Sequence, residues 1–251
     1  MATQKGIIKL EGAIGDISFY KSKGKYFARS KGGVDGDRIK NDPAFERTRE
    51  NGSEFGRAGK AGKLLRNALR EVIQNSKDSR MSSRLTREML KAIQADDENA
   101  RGARTITAGD VTLLKGFEFN DEAKLGNTVF MPYNVVTDRV AGTLKVTVPA
   151  FIPANTIGSP AGATHAIINL GGTEVDFDAE NFTANIQHSA HVALKGEEQA
   201  QIELTANVSE NSDKPLFMAF GLEFYQEVNG EKYPLKNGAY NALALIEVNV
   251  V

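Results

Sequence analysis

Across residues 6–31 apolar and polar positions alternate in short runs. Ile7, Ile8 and Leu10 come first, then Ile17 and Phe19 against Ser18 and Tyr20, then Tyr26 and Ala28 against Phe27 and Arg29. The pattern predicts short strands, with residues 22–24 turning the last pair into a hairpin and Gly12 and Gly15 punctuating the first connection. Such a meander buries too little to stand alone, so it must lean on the helices, on the second half of the chain or on another copy. Beyond Gly32-Gly33 the period lengthens. Asp42 is placed as an N-cap with Pro43 at the first helical position, and Phe45, Phe55, Ala58, Gly62, Leu65, Leu69 and Val72 recur at helical spacing to about Gln74. Gly52, Gly56, Gly59 and Gly62 fall inside this stretch, where each costs roughly 1 kcal/mol relative to Ala. Either they let another backbone approach closely, or the helix kinks near Gly52. A second helix is predicted over residues 79–95, with Met81, Leu85, Met89 and Ile93 as its core stripe.

From Thr105 onward helical spacing gives way to short β-branched segments at 111–119, 144–148, 165–170, 173–177, 185–194, 202–208, 216–225 and 242–250. Asn229-Gly230 carries a hairpin-turn signal before a short strand that stops near Pro234. About seven to nine strands without intervening helices predict an antiparallel β-sandwich, immunoglobulin-like or jelly-roll, with a closed barrel as the alternative. The expected class is therefore α+β: a β-meander with a helical module over residues 1–104, then the sandwich over residues 105–251.

Composition narrows the chemistry. A chain of 251 residues can bury a sizeable core without staples, and with no Cys it has no disulfide framework, zinc ribbon, iron–sulfur cluster or thiol nucleophile. No stretch approaches the roughly 20 apolar residues of a membrane helix, and residues 1–10 lack the apolar centre of a secretory signal. Synthesis in the cytoplasm and no membrane span are the expectations.

Charge adds a second division. Residues 1–104 hold 23 Lys and Arg against 14 Asp and Glu, while residues 105–251 hold 8 against 18. Halves of opposite sign can pair within one chain, pair head to tail between copies, or leave the basic half for nucleic acid. Arg57, Lys60, Lys63, Arg66 and Arg70 line the first helix and Arg80, Arg84 and Arg87 the second; they could grip phosphates, but few aromatics interleave with them, so a solvated face or contact with acidic protein surface is expected. Glu174, Asp176, Asp178 and Glu180 occupy every second position, so a continuous strand would carry four carboxylates on one face. A flat strand does not wrap calcium as a loop does, so a solvated face or a counterpart for the basic helices of a neighbouring subunit is expected. The glycines of residues 56–63 have the wrong spacing for a phosphate loop, with Leu64 where a magnesium-binding hydroxyl belongs. His188 and His191, three apart, are expected on opposite faces of a strand, and neither they nor His165 join a catalytic or metal-ligand signature. No catalytic residue, metal or cofactor is expected.

The stretch Gly6-Ile-Ile-Lys-Leu-Glu-Gly-Ala-Ile-Gly-Asp-Ile-Ser-Phe-Tyr-Lys21, followed by Arg38-Ile-Lys-Asn-Asp-Pro-Ala-Phe-Glu-Arg-Thr-Arg-Glu-Asn-Gly-Ser-Glu-Phe55, resembles a group of uncharacterised proteins common in the Bacteroidota. The resemblance covers about the first 75 residues and carries over no functional residue. It implies a more constant assembly module joined to a more variable, exposed head.

The leading expectation is a non-enzymatic structural protein that self-assembles into a filament, tube, shell or lattice. Ile7, Ile8, Leu10, Ile17, Phe19, Gly52, Gly56, Gly59 and Gly62 are its candidate interface, and other copies of the chain its partners. The alternatives are a nucleic-acid-binding protein using the basic helices, or a sandwich that binds a ligand or carbohydrate through loops such as 151–163. Absence of Trp weighs against carbohydrate, although Tyr133, Tyr233 and Tyr240 offer rings.

Overall fold

The computed structural model describes residues 2–22, 24–30 and 32–251, without the side chains of Lys236 and Asn237. The chain forms two compact units, Met1–Arg49 and Glu50–Val251.

In the first unit, β1 (Ala2–Thr3), β2 (Gly12–Ile14), β3 (Ile17–Ser22) and β4 (Lys25–Ser30) make an antiparallel sheet in the order β1-β4-β3-β2. Gly15, at φ +55°, turns β2 into β3, and Gly24, at φ +76°, turns β3 into β4. Lys23, inside that predicted hairpin turn, lies outside the described residues. The predicted strand through Ile7, Ile8 and Leu10 does not form. Gln4 replaces it: its side-chain Nε2 donates to Leu10 O (3.1 Å) and its Oε1 accepts from Leu10 N (2.9 Å), while its own N–H donates to Tyr26 O (2.9 Å). One amide side chain thus pairs with Leu10 as a neighbouring strand would, and the residues between bulge out as a loop. Next comes α1 (Gly36–Asn41), and then a 3₁₀ turn at Pro43–Phe45 whose Asp42 cap accepts from Ala44 N at 2.9 Å. The cap opens into α2 (Glu46–Ala68) as the sequence predicts.

The second unit is layered around one large sheet. Its strands are β7 (His165–Asp176), β8 (Asn181–His188), β9 (Val192–Ala193), β11 (Leu216–Val228), β12 (Glu231–Pro234) and β13 (Ala242–Asn249). β11 and β7 pair along their length; β13 and β12 continue beyond β11, and β8 and β9 beyond β7. A smaller sheet, β10-β6-β5, combines β5 (Asn134–Asp138), β6 (Thr143–Val148) and β10 (Ile202–Asn207). All pairings are antiparallel, in an α+β fold containing a β-sandwich.

Alternation along β11 divides the core. Leu216, Met218, Phe220, Leu222 and Phe224 point to the smaller sheet and pack with Leu144, Val146 and Leu204. Phe217 and Ala219 point the other way, where α2, α3 (Arg70–Ile73) and α4 (Met81–Gln94) supply Leu65, Leu69, Val72, Leu85, Met89 and Ile93. The predicted α4 stripe is therefore buried. Covering on both faces explains why β11 reads as an almost unbroken apolar run. It also moves the division between units to Arg49, far from residue 104, because the helices and the large sheet share one core.

Three further expectations change. Residues 173–177 do not form a separate strand: Gly171 and Gly172 lie inside a continuous β7, where a Cβ on Gly171 would come 2.9 Å from Leu69 Cδ2 and one on Gly172 2.5 Å from Ala206 Cβ. Glycine thins the sheet where a layer presses on each side. The predicted strand at 111–119 opens instead as a 3₁₀ turn (Val111–Leu114), because Asp110 caps it by accepting from Thr112 N at 2.9 Å. Finally, α2 runs unbroken past Gly52, Gly56 and Gly59, and the first helical stretch breaks only at Leu69.

Candidate functional site

Residue register places Ile14, Ile17, Phe19, Tyr26 and Ala28 on one face of the N-terminal sheet, with Lys21 at its end opposite Tyr26, whose ring lies 5.3 Å from Lys21 Nζ and 5.9 Å from Lys9 Nζ. Ile14 is 64% exposed and Ile17 46%, and no described residue of Met1–Arg49 is buried. On the opposite face the Tyr20 and Phe27 rings stack at 5.7 Å, with the Arg29 guanidinium 5.6 Å from the Tyr20 ring centre. Of the candidate interface residues here, Ile17 and Phe19 share the apolar face; Ile7, Ile8 and Leu10 stand outside the strands. Ile7 and Ile8, 103% and 81% exposed, form the tip of the loop that Gln4 holds.

The glycines of α2 divide differently from either expectation. Gly62 faces α4, and a Cβ there would meet Leu85 Cγ and Met89 Cγ at an ordinary 3.7 Å. Gly52, Gly56 and Gly59 have open space, so neither a kink nor a close backbone crossing inside this chain accounts for them. They lie on the same side of the helix as Lys60, Lys63 and Arg66, away from buried Ala58, Leu65 and Ala68.

The basic row is partly engaged. Arg57 Nη2 donates to Gly102 O, and Arg66 donates to Gly62 O (3.1 Å) and Ser82 Oγ. Lys60 Nζ lies 3.6 Å from Glu180 Oε1, whereas Lys63 and Arg70 have no ion-pair partner among the described residues. On α4, Arg84 is taken up structurally: it pairs with Asp78, donates to Glu118 O at 2.7 Å and sits over Phe117. Arg87 pairs with Glu88 at 3.0 Å, and the side chain of Arg80 lines a polar hollow beside α4.

The four carboxylates do not share a strand face. Asp176 ends β7 and caps a turn, accepting from Asp178 N (3.0 Å) and Ala179 N (2.9 Å), so alternation stops before Asp178. These bonds and Lys214 Nζ at 3.3 Å hold the Asp176 carboxyl below its ordinary value. Glu174 accepts from Ser209 N (3.1 Å), Asp178 from Thr107 Oγ1 (2.8 Å), and Glu180 sits at φ +52° beside Lys60. Asp178 and Glu180 consequently face α2 across a groove of about 560 Å³ floored by Leu64, Ile106 and Phe177.

His188 and His191 do not sit on opposite faces of one strand, and each meets different partners. β8 ends at His188, so strand alternation does not extend to His191. His188 Nδ1 lies 2.7 Å from Asn169 Oδ1 and its Nε2 3.2 Å from Glu71 Oε1; the His191 ring meets Tyr225 at 5.0 Å and His165 at 6.3 Å. Beneath them buried Glu223 accepts from Asn169 Nδ2 (2.9 Å), Tyr225 OH (3.2 Å) and Asn75 Nδ2 (3.3 Å). Burial, then the Glu223 carboxylate, pushes the Tyr225 phenol up to about 12, so at neutral pH it is a hydrogen-bond donor and not a base. Burial, Lys232 and His165 lower the His191 imidazole. The alternation of polar Asn169, Glu223 and Tyr225 with the apolar core positions of β7 and β11 is the signal in the sequence for this network. It ties the chain after α3 to the sheet. Among the described residues no three His, Asp or Glu side chains are grouped to hold a metal ion, and no helix is long and apolar enough to cross a membrane.

The loop at 159–164 lines a further hollow of about 690 Å³, floored by Pro160, Ala163 and Ala193; it belongs to the segment considered above for ligand binding. Tyr133 packs against Phe220 at 4.8 Å, and Tyr233 remains 56% exposed. No protein-family model, curated protein or solved structure matches the chain.

Proposed function

We propose that this protein is a non-enzymatic structural subunit whose copies assemble through the N-terminal sheet into a filament, tube, shell or lattice. One observation carries the reading: a four-stranded sheet with an apolar face in a unit where no described residue is buried. A sheet gains independent stability by covering a hydrophobic face, and each copy of the chain brings the same uncovered face and the same open β2 edge. Self-complementary contact between such faces, or strand addition at such edges, satisfies both copies at once. The test is light scattering with negative-stain imaging of the purified chain over a range of concentration and salt. Ordered particles larger than a monomer support the reading. A monomer at every concentration overturns it.

A second reading, binding of nucleic acid, is favoured by Lys63, which shares one side of α2 with Lys60 and Arg66, and by Arg70 at the start of α3; neither has an ion-pair partner among the described residues. Affinity for a DNA or RNA duplex that falls steeply with salt would support it.

A further inference from the structure

The groove between α2 and the turn joining β7 to β8 has walls of opposite sign. Lys60 and Lys63 stand on the helix side, Asp178 and Glu180 on the turn side, and Leu64, Ile106 and Phe177 form an apolar floor. The contact closing its mouth is weak: Lys60 and Glu180 are 3.6 Å apart with side chains 75% and 64% exposed, an arrangement worth little in water. A matching occupant therefore has an apolar centre with a cation on one flank and an anion on the other.

The N-terminal loop has that composition. Ile7 and Ile8 are adjacent and almost wholly exposed, with Lys5 before them and Lys9 and Glu11 after; Lys9 is turned back onto Gln4 O at 2.6 Å, which leaves Glu11 as the free charge on that flank among the described residues. Both ends of the loop are tied. Gln4 bonds Leu10 through both ends of its side-chain amide and Phe27 O at 3.0 Å, so the tip is held out at little further entropic cost. Two adjacent aliphatic side chains in water are an uncompensated cost that an apolar floor removes.

We infer that the Ile7–Ile8 tip of one copy seats in the groove between α2 and the β7–β8 turn of the next copy. Lys5 then lies toward Asp178 and Glu180, and Glu11 toward Lys63. The contact joins two different surfaces, so it propagates from copy to copy and need not close. The inference rests on the assembly reading and names its second contact.

The absence of Cys from the chain gives a clean test. Two full-length variants, Ile8→Cys and Asn67→Cys, are mixed under mild oxidation and resolved by mass; Asn67 lines the groove and is exposed. Docking places the thiols at high effective concentration, so the mixed pair should cross-link at least about tenfold faster than Ile8→Cys with Val140→Cys, an exposed position outside the groove. Reversing the acidic wall with Asp178→Lys and Glu180→Lys should raise the concentration needed for particles by about five- to tenfold, and Lys5→Glu in the same chain should restore it. Particles that form while the groove pair does no better than the control overturn this inference and leave the assembly reading standing. A chain carrying both cysteines that cross-links within its own monomer also overturns it. Absence of particles at every concentration removes both.

Discussion

Replacing Ile14 and Ile17 together with Ser removes the most exposed apolar groups of the N-terminal sheet face. Fully burying an isoleucine side chain is worth about 1.5–3 kcal/mol. Ile14 is 64% exposed and Ile17 46%, so contact with a second sheet has about 1–2 and about 0.7–1.4 kcal/mol respectively still to gain. The pair thus contributes about 2–3 kcal/mol to association, or about 30- to 150-fold in the association constant. Neither side chain supports a buried core, so the far-UV spectrum and the melting of the second unit should stay unchanged. The assay is the concentration at which light scattering departs from that of a monomer, compared between wild type and the double variant. A shift below about fivefold, with the fold intact, would refute the claim that this face is covered by another copy.

Other consequences follow from the second unit. Gly172→Ala should destabilise it by about 2–3 kcal/mol in denaturant unfolding, because the new methyl would lie 2.5 Å from Ala206 Cβ, which cannot rotate away; Gly171→Ala, facing the ends of Leu69 and Val72, should cost less. Gly56→Ala should instead raise stability by about 0.5–1 kcal/mol, since no atom lies within 4 Å of its position and the alanine removes the glycine entropy cost. Asp96 accepts from the backbone N–H groups of Thr105, Glu98 and Asn99, bonds that bring its carboxyl down to about 2. Its folded value lies below the ordinary 3.8, so its stabilisation is complete above about pH 4 and lost as pH falls toward 2; Asp96→Asn should flatten acid unfolding across that window. His191 is also lowered, so the neutral ring is the form the fold prefers, and that stabilisation fades as pH drops below the ordinary 6.5; His191→Gln should reduce the loss of melting temperature between neutral and mildly acidic pH.

Local chemistry was legible where a few residues decide the outcome. Asp42 with Pro43 marks the turn that opens α2, the Met81-Leu85-Met89-Ile93 stripe marks the buried face of α4, and Asn229-Gly230 makes the two-residue turn between β11 and β12 with φ of +54° and +85°. What failed were inferences that needed the third dimension. Gly171-Gly172 reads as a break, yet only packing from both sides reveals why glycine interrupts nothing. Alternation through Asp178 and Glu180 assumes a strand that the Asp176 cap ends. The charge change near residue 104 suggests a boundary, but the basic helices and the acidic sheet share a core, and Lys60 meets Glu180 inside one chain. For the candidate interface, Ile17 and Phe19 were read correctly onto one sheet face; the side-chain pairing by Gln4 that expels Ile7 and Ile8 has no periodic signature.

On the proposed assembly, the N-terminal sheet obtains its missing core from another copy. Amide hydrogen exchange of residues 12–30, followed by mass spectrometry across a range of protein concentration, tests it most directly. Exchange should be fast in the dilute monomer and strongly slowed once particles form, while the strands of the second unit stay protected throughout. Protection of residues 12–30 that does not change with concentration would contradict it.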